Sequence, residues 1–243
     1  MRTAFYAGAS GLLANQKAMD NIANNVANVS TNGFKPQNVS FQSLIYDEMY
    51  VNTPTDPVKG NGVKAEISDS NFNQGSILPT GFELDFAITS NALFAVEQDG
   101  LTAYTRTGSF SIGMDGETGY LVTPNGDFVL DKNGNRIVLQ KEEGTNNFDT
   151  TNLKNTIGLF TFANPNYLTP VEGNLYAVSV KSGPALAVEN NEGHLIQGAL
   201  EQSGTNLADE MVEMITVQRA FQLAARVVST AEQNQQTINQ LRR

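Results

Sequence analysis

Asp131, Asn133, Asn135 and Glu142 occupy four positions of a calcium loop of the D-x-N-x-N type with a terminal glutamate. The sixth position of such a loop needs glycine for its sharp turn, and here it is Arg136. The same stretch contains Asn133-Gly134, which favours a hairpin turn instead. Glu142 and Glu143 are adjacent carboxylates, but neighbours on an extended chain point to opposite sides and make no acid–base pair. Ser109 lies in Gly108-Ser109-Phe110, which is not a nucleophile elbow. His194, the only histidine, reads as a surface or satisfied residue at the start of a strand. The chain has no cysteine, so disulfides, thiolate ligands and cysteine nucleophiles are excluded. It carries neither a Walker loop nor a G-x-G-x-x-G fingerprint. The expected sets of catalytic residues, cofactor ligands and metal ligands are all empty. A hydrolase built on this chain would lack two carboxylates placed together.

Those positions fall on a middle region with the texture of strands. Phe82, Leu84, Phe86 and Ile88 alternate with Glu83, Asp85, Ala87 and Thr89, which predicts a half-buried strand. Asp99-Gly100, Asp115-Gly116, Asn125-Gly126 and Asn133-Gly134 then recur as turn dipeptides, each predicting a primed hairpin turn. Further strands are expected at 92–98, 101–106, 109–113, 119–123, 127–131, 136–140, 156–162, 174–181 and 194–200. Residues 81–200 therefore read as an antiparallel all-β domain. Residues 36–80, with Pro54, Pro57, Gly60 and Gly62, read as an extended connector holding one or two strands.

The two ends are helical. Phe5, Leu12, Met19 and Val26 fall seven apart, with Ala9, Gln16 and Ala23 as a weaker second seam position. Asn32-Gly33 and Pro36 stop that helix. At the other end Asn206 can cap a helix with Asp209 and Glu210 in its first turn. Its stripe runs Leu207, Met211, Met214, Val217, Phe221, Ala224, Val228, Ala231 and Ile238 in steps of three, four and seven. The expected fold class is α+β: N- and C-terminal helices paired as a coiled coil, 1–35 with 201–243, around the β domain.

Composition says what those helices face. Among 243 residues there are 27 Asn, more than the 25 Asp and Glu together, and the net charge is −10. A bulk nucleic-acid binder is therefore not expected. No apolar run approaches the roughly 18 residues of a membrane span, and the first 20 residues lack the apolar core of a secretory signal peptide. Residues 1–35 hold three cations and one acid, and residues 201–243 four arginines and five acids, so the acidic load sits on the middle. Residues 21–34 are uncharged, with Asn21, Asn25 and Asn28 among their polar positions, and residues 233–241 are uncharged too. A helix face meant for water normally uses Glu and Lys. Amide faces suit packing against protein, where they pair laterally without desolvating a charge. Two stripes this thin do not offset the ordering of about 60 residues at roughly 1–2 kcal/mol each. The ends are expected to become ordered among many copies.

The stretch Met19-Asp20-Asn21-Ile22-Ala23-Asn24-Asn25-Val26-Ala27-Asn28-Val29-Ser30-Thr31-Asn32-Gly33-Phe34-Lys35 resembles the N-terminal signature of bacterial flagellar rod, hook and hook-associated proteins. Val212-Glu213-Met214-Ile215-Thr216-Val217-Gln218-Arg219-Ala220-Phe221 resembles that family's C-terminal signature. Thr102-Ala103-Tyr104-Thr105-Arg106-Thr107-Gly108-Ser109-Phe110 is similar to a segment of the rod and hook β domain. The length resembles a rod protein rather than a hook protein, of the distal-rod type first and the proximal-rod type next. The resemblance implies a structural axial subunit of the basal-body rod, not an enzyme. It implies terminal helices lining a central channel, a β domain outside, and export through the flagellar type III apparatus without a cleaved signal peptide. Its partners are then copies of itself and other rod and hook proteins, with no nucleic acid and no membrane insertion. The residues expected at the assembly interface are Phe5, Leu12, Met19, Asn21, Asn25, Val26 and Asn28, with Leu207, Met211, Met214, Phe221, Val228 and Ile238. A β-rich adhesin on a helical stalk is the rival reading. It requires a signal peptide and an exposed aromatic platform.

Overall fold

A computed structural model describes residues 2–44, 47–48, 58–116, 118–140, 148, 150, 152–189, 191 and 193–241. Pro54, Pro57, Glu142 and Glu143 lie outside these. The chain is α+β, with a helix at each end and an antiparallel β region between. The helices are Arg2–Ala27 (α1), a single turn at Leu153–Thr156 (α2) and Leu207–Leu241 (α3). The chain forms two compact units. One comprises Met1–Ala27, Gln37–Asp69 and Asn206–Arg243, and the other Asn28–Pro36 and Ser70–Thr205.

In the first unit α1 packs against α3. The start of α3 is capped as its sequence predicts. Asn206 Oδ1 accepts the Ala208 N–H (3.1 Å), Asn206 Nδ2 donates to Asp209 Oδ2 (2.7 Å), and both acids lie in the first turn. Strand Gln37–Ser43 pairs with Val63–Ser70, and Asp47–Glu48 pairs antiparallel with Val58–Lys59. The region 36–80 thus holds more strand than its irregular sequence suggests. One glycine there makes a close approach: at Gly62, φ is +111° and an added Cβ would lie 2.1 Å from Ser10 Oγ. Ser10 Oγ in turn accepts the Val63 N–H at 3.2 Å, tying this segment to α1.

The second unit is built on a ten-stranded sheet. Leu93–Gln98 lies near its middle, antiparallel to Leu101–Thr105, Phe128–Val129 and Leu159–Thr161. Alternation along this strand feeds two cores. Phe94 and Val96 pack with Phe86, Phe110, Leu121, Val129 and Leu159, while Leu93 and Ala95 pack with Phe72, Tyr104, Phe162 and Tyr176. Both faces of the strand are covered. Two smaller sheets complete the unit, Phe86–Ile88 with Leu195–Gln197 and Ile77–Pro79 with Ala199–Glu201.

Three local expectations change. The predicted strand at 82–88 is reduced to Phe86–Ile88, whose residues are all buried, whereas Phe82 is 70% exposed. Covering both sides of a short segment removes its alternation. Gly198, at φ +78°, divides the strand expected at 194–200 into two that belong to different sheets. Of the four turn dipeptides, Asp99-Gly100 has positive φ at both residues, +50° and +78°, the primed form. At 115–116, 125–126 and 133–134 the glycine alone has positive φ, so these hairpins use other turns. In the last, Asp131 Oδ1 accepts the N–H groups of Asn133 (2.7 Å) and Asn135 (2.8 Å). The calcium-like carboxylate is a turn cap.

Candidate assembly elements

The seam of the first unit is made of small residues. Gly8, Ala14, Ala18 and Ile22 are buried on α1. A Cβ added at Gly8 would lie 2.9 Å from Val228 Cγ2, and one added at Gly11 would lie 3.7 Å from Ala224 Cβ. Ala18, Ile22 and Val217 form a cluster flanked by Met19, Val26, Val39 and Met214. Gly8 with Val228, Gly11 with Ala224 and Asn25 with Glu210 define an antiparallel pair of nearly constant offset. Small side chains allow the axes to approach, which displaces the larger ones to the flanks. Leu12, Met19, Val26, Met214, Phe221 and Val228 are accordingly half-buried, and Phe5, Leu207, Met211 and Ile238 are exposed. The weaker seam position is turned away, with Gln16 and Ala23 exposed. In the single chain both helices are wound and paired, so close packing of small residues supplies order that a count of large apolar residues missed.

The amide positions divide. Asn25 is buried, its Nδ2 donating to the Gln37 carbonyl (3.0 Å) and to Glu210 Oε1 (3.0 Å), while its Oδ1 accepts the Gln37 N–H (3.1 Å). Asn25 is thus used inside the chain. Asn21 is buried as well, and Asn28 is half-buried with its Oδ1 accepting the Thr31 hydroxyl (3.1 Å). Burial pushes the Glu210 carboxyl above its usual range, against the opposing effect of the Asn25 hydrogen bond.

Large apolar residues stand outside the seam. Tyr6 and Leu13 on α1, and Val212, Ile215 and Leu223 on α3, are exposed, Leu13 at 74%. The antiparallel offset sets the start of α1 level with about Gln233. The uncharged end of α3 therefore runs on for about 12 Å past its partner helix, at 1.5 Å per residue. Every residue of 233–241 is exposed.

The second unit holds a feature that periodicity did not disclose. Lys35, Arg106 and Glu201 are buried together, their side chains 0%, 1% and 1% exposed. Lys35 Nζ donates to Glu201 Oε1 (2.6 Å) and to the Asn73 carbonyl (2.6 Å). Arg106 Nε donates to Glu201 Oε2 (2.5 Å), and its remaining nitrogens donate to the carbonyls of Ala92 and Ile88. Glu201 Oε1 also accepts the Gly75 N–H at 2.7 Å. The backbone closes round the same point: Gly33 N–H donates to the Glu201 carbonyl (2.8 Å), Gly204 N–H to that of Phe34 (3.0 Å), and Asn71 N–H to that of Pro36 (2.8 Å). Gly33, at φ +68°, passes so close that a Cβ would lie 2.7 Å from the Arg106 carbonyl carbon and oxygen. Burial pushes the Lys35 ammonium below its usual range, outweighing the hydrogen bond and charge of Glu201. Burial likewise raises the Tyr176 phenol. A clue was present: in a chain poor in charge, Lys35 and Arg106 both lie within the quoted signature segments.

Among the described residues no group of three or more His, Asp and Glu could hold a metal ion, and no helix is long and apolar enough to cross a membrane. Three family signatures match the chain: "Flagella basal body rod protein" over residues 5–35, "Flagellar hook protein FlgE/F/G D1 domain" over 87–156, and "Flagellar basal body rod FlgEFG protein C-terminal" over 196–241. The flagellar basal-body rod protein FlgG of Borreliella burgdorferi is 34% identical over 264 residues, covering 100% of both chains. Its counterpart in Bacillus subtilis is 31% identical over 267 residues, again covering 100% of both. That of Caulobacter vibrioides is 34% identical over 259 residues, covering 96% of this chain and 97% of its own. The chain belongs to the flagellar basal-body rod protein family and is a structural rod subunit, not an enzyme.

Proposed function

We propose that the protein polymerises through its helical ends, within 1–35 and 201–243, into the distal part of the rod. The helices form a coiled-coil inner layer, and subunits stack in a heterologous, non-closing helical array. The β domain of 81–200, which carries the acidic load, faces outward, and 36–80 connects the two. The neighbours are copies of this chain and other rod and hook proteins. Delivery is by the flagellar type III apparatus, without a cleaved signal peptide.

One observation carries this reading: the helix pair is apolar on two sides. Its inner seam is satisfied by Gly8, Ala14, Ala18 and Ile22, yet Leu13, Val212 and Leu223 remain exposed. Apolar faces left over after a seam is closed support contact with further copies. Phe5, Leu12, Met19 and Val26 with Leu207, Met211, Met214, Phe221, Val228 and Ile238 then flank those contacts, and the uncharged end of α3 supplies an amide surface beside them. Leu13→Asp and Leu223→Asp test it. Each variant should keep the far-ultraviolet circular dichroism of the parent while purified basal bodies from cells carrying it show a truncated rod. Full-length rods with normal motility in both would remove the helices from the interface.

A further inference from the structure

In the second unit, residues 179–182 form a turn held from several directions. The Ser179 N–H donates to Ser182 Oγ (3.0 Å), and the Ser182 N–H and hydroxyl both return to the Ser179 carbonyl (3.2 and 2.8 Å). Ser179 Oγ donates to the Tyr167 carbonyl (2.6 Å), and the Asn164 N–H donates to that of Ser182 (3.2 Å). Ser182 is fully buried, yet Val180 is 104% exposed. A lone exposed apolar residue needs no explanation, but this one has company. Val178 and Tyr167 are about half exposed, and Lys181 Nζ stands 5.7 Å from the centre of the Tyr167 ring. The result is a fixed apolar tip with a cation at its side. A group already held in place loses little freedom on being buried. The tip follows Leu175–Ala177, which pairs with Thr169–Val171 at one edge of the ten-stranded sheet. At the far edge, where Ser111–Asp115 pairs with Thr118–Val122, there is a cavity of about 710 Å³. Phe82, Leu84, Phe110 and Ile112 wall it, and Glu83 and Asp85 line it with no cation among the described residues. Because Val180 is wholly exposed, the tip does not fill the cavity of its own chain.

We propose that the tip of one copy docks into this cavity on the next, so that β units join directly and not only through the helices. The inference rests on the head-to-tail stacking proposed above and names a second contact for it. The cavity offers aromatic and aliphatic walls beside two carboxylates, so the occupant it fits is apolar with a cation alongside. The chain itself carries that chemistry at Val178, Val180 and Lys181. Cations are scarce in this unit: residues 28–36 and 70–205 hold seven Lys and Arg against fifteen Asp and Glu. Lys35 and Arg106 are buried, and Arg136 is paired with Glu97. Two units this acidic repel each other over most of their surfaces. Bringing Lys181 to Glu83 and Asp85 reverses the sign where the tip enters, which selects this face and orients it. Tip and cavity are different surfaces, so the contact is heterologous. Each copy gives a tip to one neighbour and a cavity to the other, and the contacts run on without pairing off.

The absence of cysteine gives a clean background for the test. Val180→Cys and Phe82→Cys both alter exposed side chains, so the fold is kept. Basal bodies purified from cells carrying the full chain with both substitutions are treated with a short bis-maleimide. A denaturing gel should show a ladder of dimers, trimers and longer multimers, and neither single variant should give one. If the double variant makes no rods, the concentrated purified chain is treated instead, with the same ladder expected. Absence of the ladder overturns the inference. So does a dimer from the Val180→Cys chain alone, which makes the contact symmetric, or a product joining that chain to a different protein, which gives the tip another partner. In the purified chain, adding Lys181→Glu should cut the ladder about tenfold, and adding Glu83→Lys as well should restore it to within about twofold. A yield that Lys181→Glu leaves unmoved overturns the choice of occupant. The two readings fail separately. A ladder together with full-length rods in Leu13→Asp keeps this contact and removes the helices from assembly. Short rods in Leu13→Asp with no ladder in the double variant do the reverse.

Discussion

Replacing Glu201 by alanine should cost the second unit far more than replacing Lys35 by methionine. The cluster holds two cations and one carboxylate, all essentially without solvent. Glu201→Ala leaves the Lys35 ammonium and the Arg106 guanidinium buried without a counter-charge and strips the Gly75 N–H of its acceptor. Breaking one buried pair typically costs about 3–5 kcal/mol, and an orphaned donor adds about 1–3. The expected loss is about 4–8 kcal/mol, a large share of the roughly 5–15 kcal/mol that stabilises a typical domain. Lys35→Met removes the excess cation and leaves a matched Arg106–Glu201 pair. It forfeits the bond to the Asn73 carbonyl but also the desolvation of an ammonium, so the change should stay within about 2 kcal/mol of zero. Urea unfolding of the three proteins, followed by tyrosine fluorescence, measures the difference. The pH dependence gives a second readout. The folded Lys35 sits below its unfolded value, so its cost is present below the folded value and shrinks as pH rises toward 10.5. The parent should therefore gain stability relative to Lys35→Met across that alkaline window. Equal losses in the two variants, or a loss under about 1 kcal/mol in Glu201→Ala, would refute the reasoning.

Gly108→Ala should destabilise the second unit by about 3 kcal/mol or more, because its Cβ would fall 1.7 Å from the Phe86 carbonyl oxygen and force apart the Phe86 N–H to Gly108 bond; chemical denaturation reads this directly. Glu210→Gln should raise the melting temperature at pH 7. The folded carboxyl is held above its unfolded value, so its favourable contribution exists below about pH 4 and is lost as pH rises. Glutamine still accepts from Asn25, and the advantage should vanish in melts below that pH. Hydrogen exchange on dilute protein should show slow amides at Ala14–Ile22 and fast ones at 233–241, with the latter becoming slow in assembled rods. Slow exchange at 233–241 in a monomer would contradict the exposed overhang.

The helices, their capping at Asn206, most strands and the family were legible in the sequence, because each depends on spacing over a few residues. Period seven in α1, steps of three and four in α3, and glycine-bearing turns are local signals. The strand at 82–88 misled because its alternation was read as one buried face, whereas all of Phe86–Ile88 is buried where it pairs with Leu195–Gln197 and joins the core around Phe94. On α3 the expected stripe at Val217, Ala224 and Val228 does meet α1, but on α1 the large heptad residues flank the contact. Periodicity weighs large apolar residues, but the axes approach where side chains are smallest, at Gly8, Ala14 and Ala18.

The sequence by itself determined that this is a helical-ended β protein and, through its signature segments, that it is a flagellar axial subunit. Only the tertiary structure decided what its signature residues do. Asn25 binds a strand and a helix within its own chain, and Lys35 meets a carboxylate 166 positions away. Local spacing carries no information about which distant backbone a buried charge will reach. That partner is chosen by how the sheets close, and Glu201 becomes the counter-ion of Lys35 and Arg106 only when strand Ala199–Glu201 pairs with Ile77–Pro79.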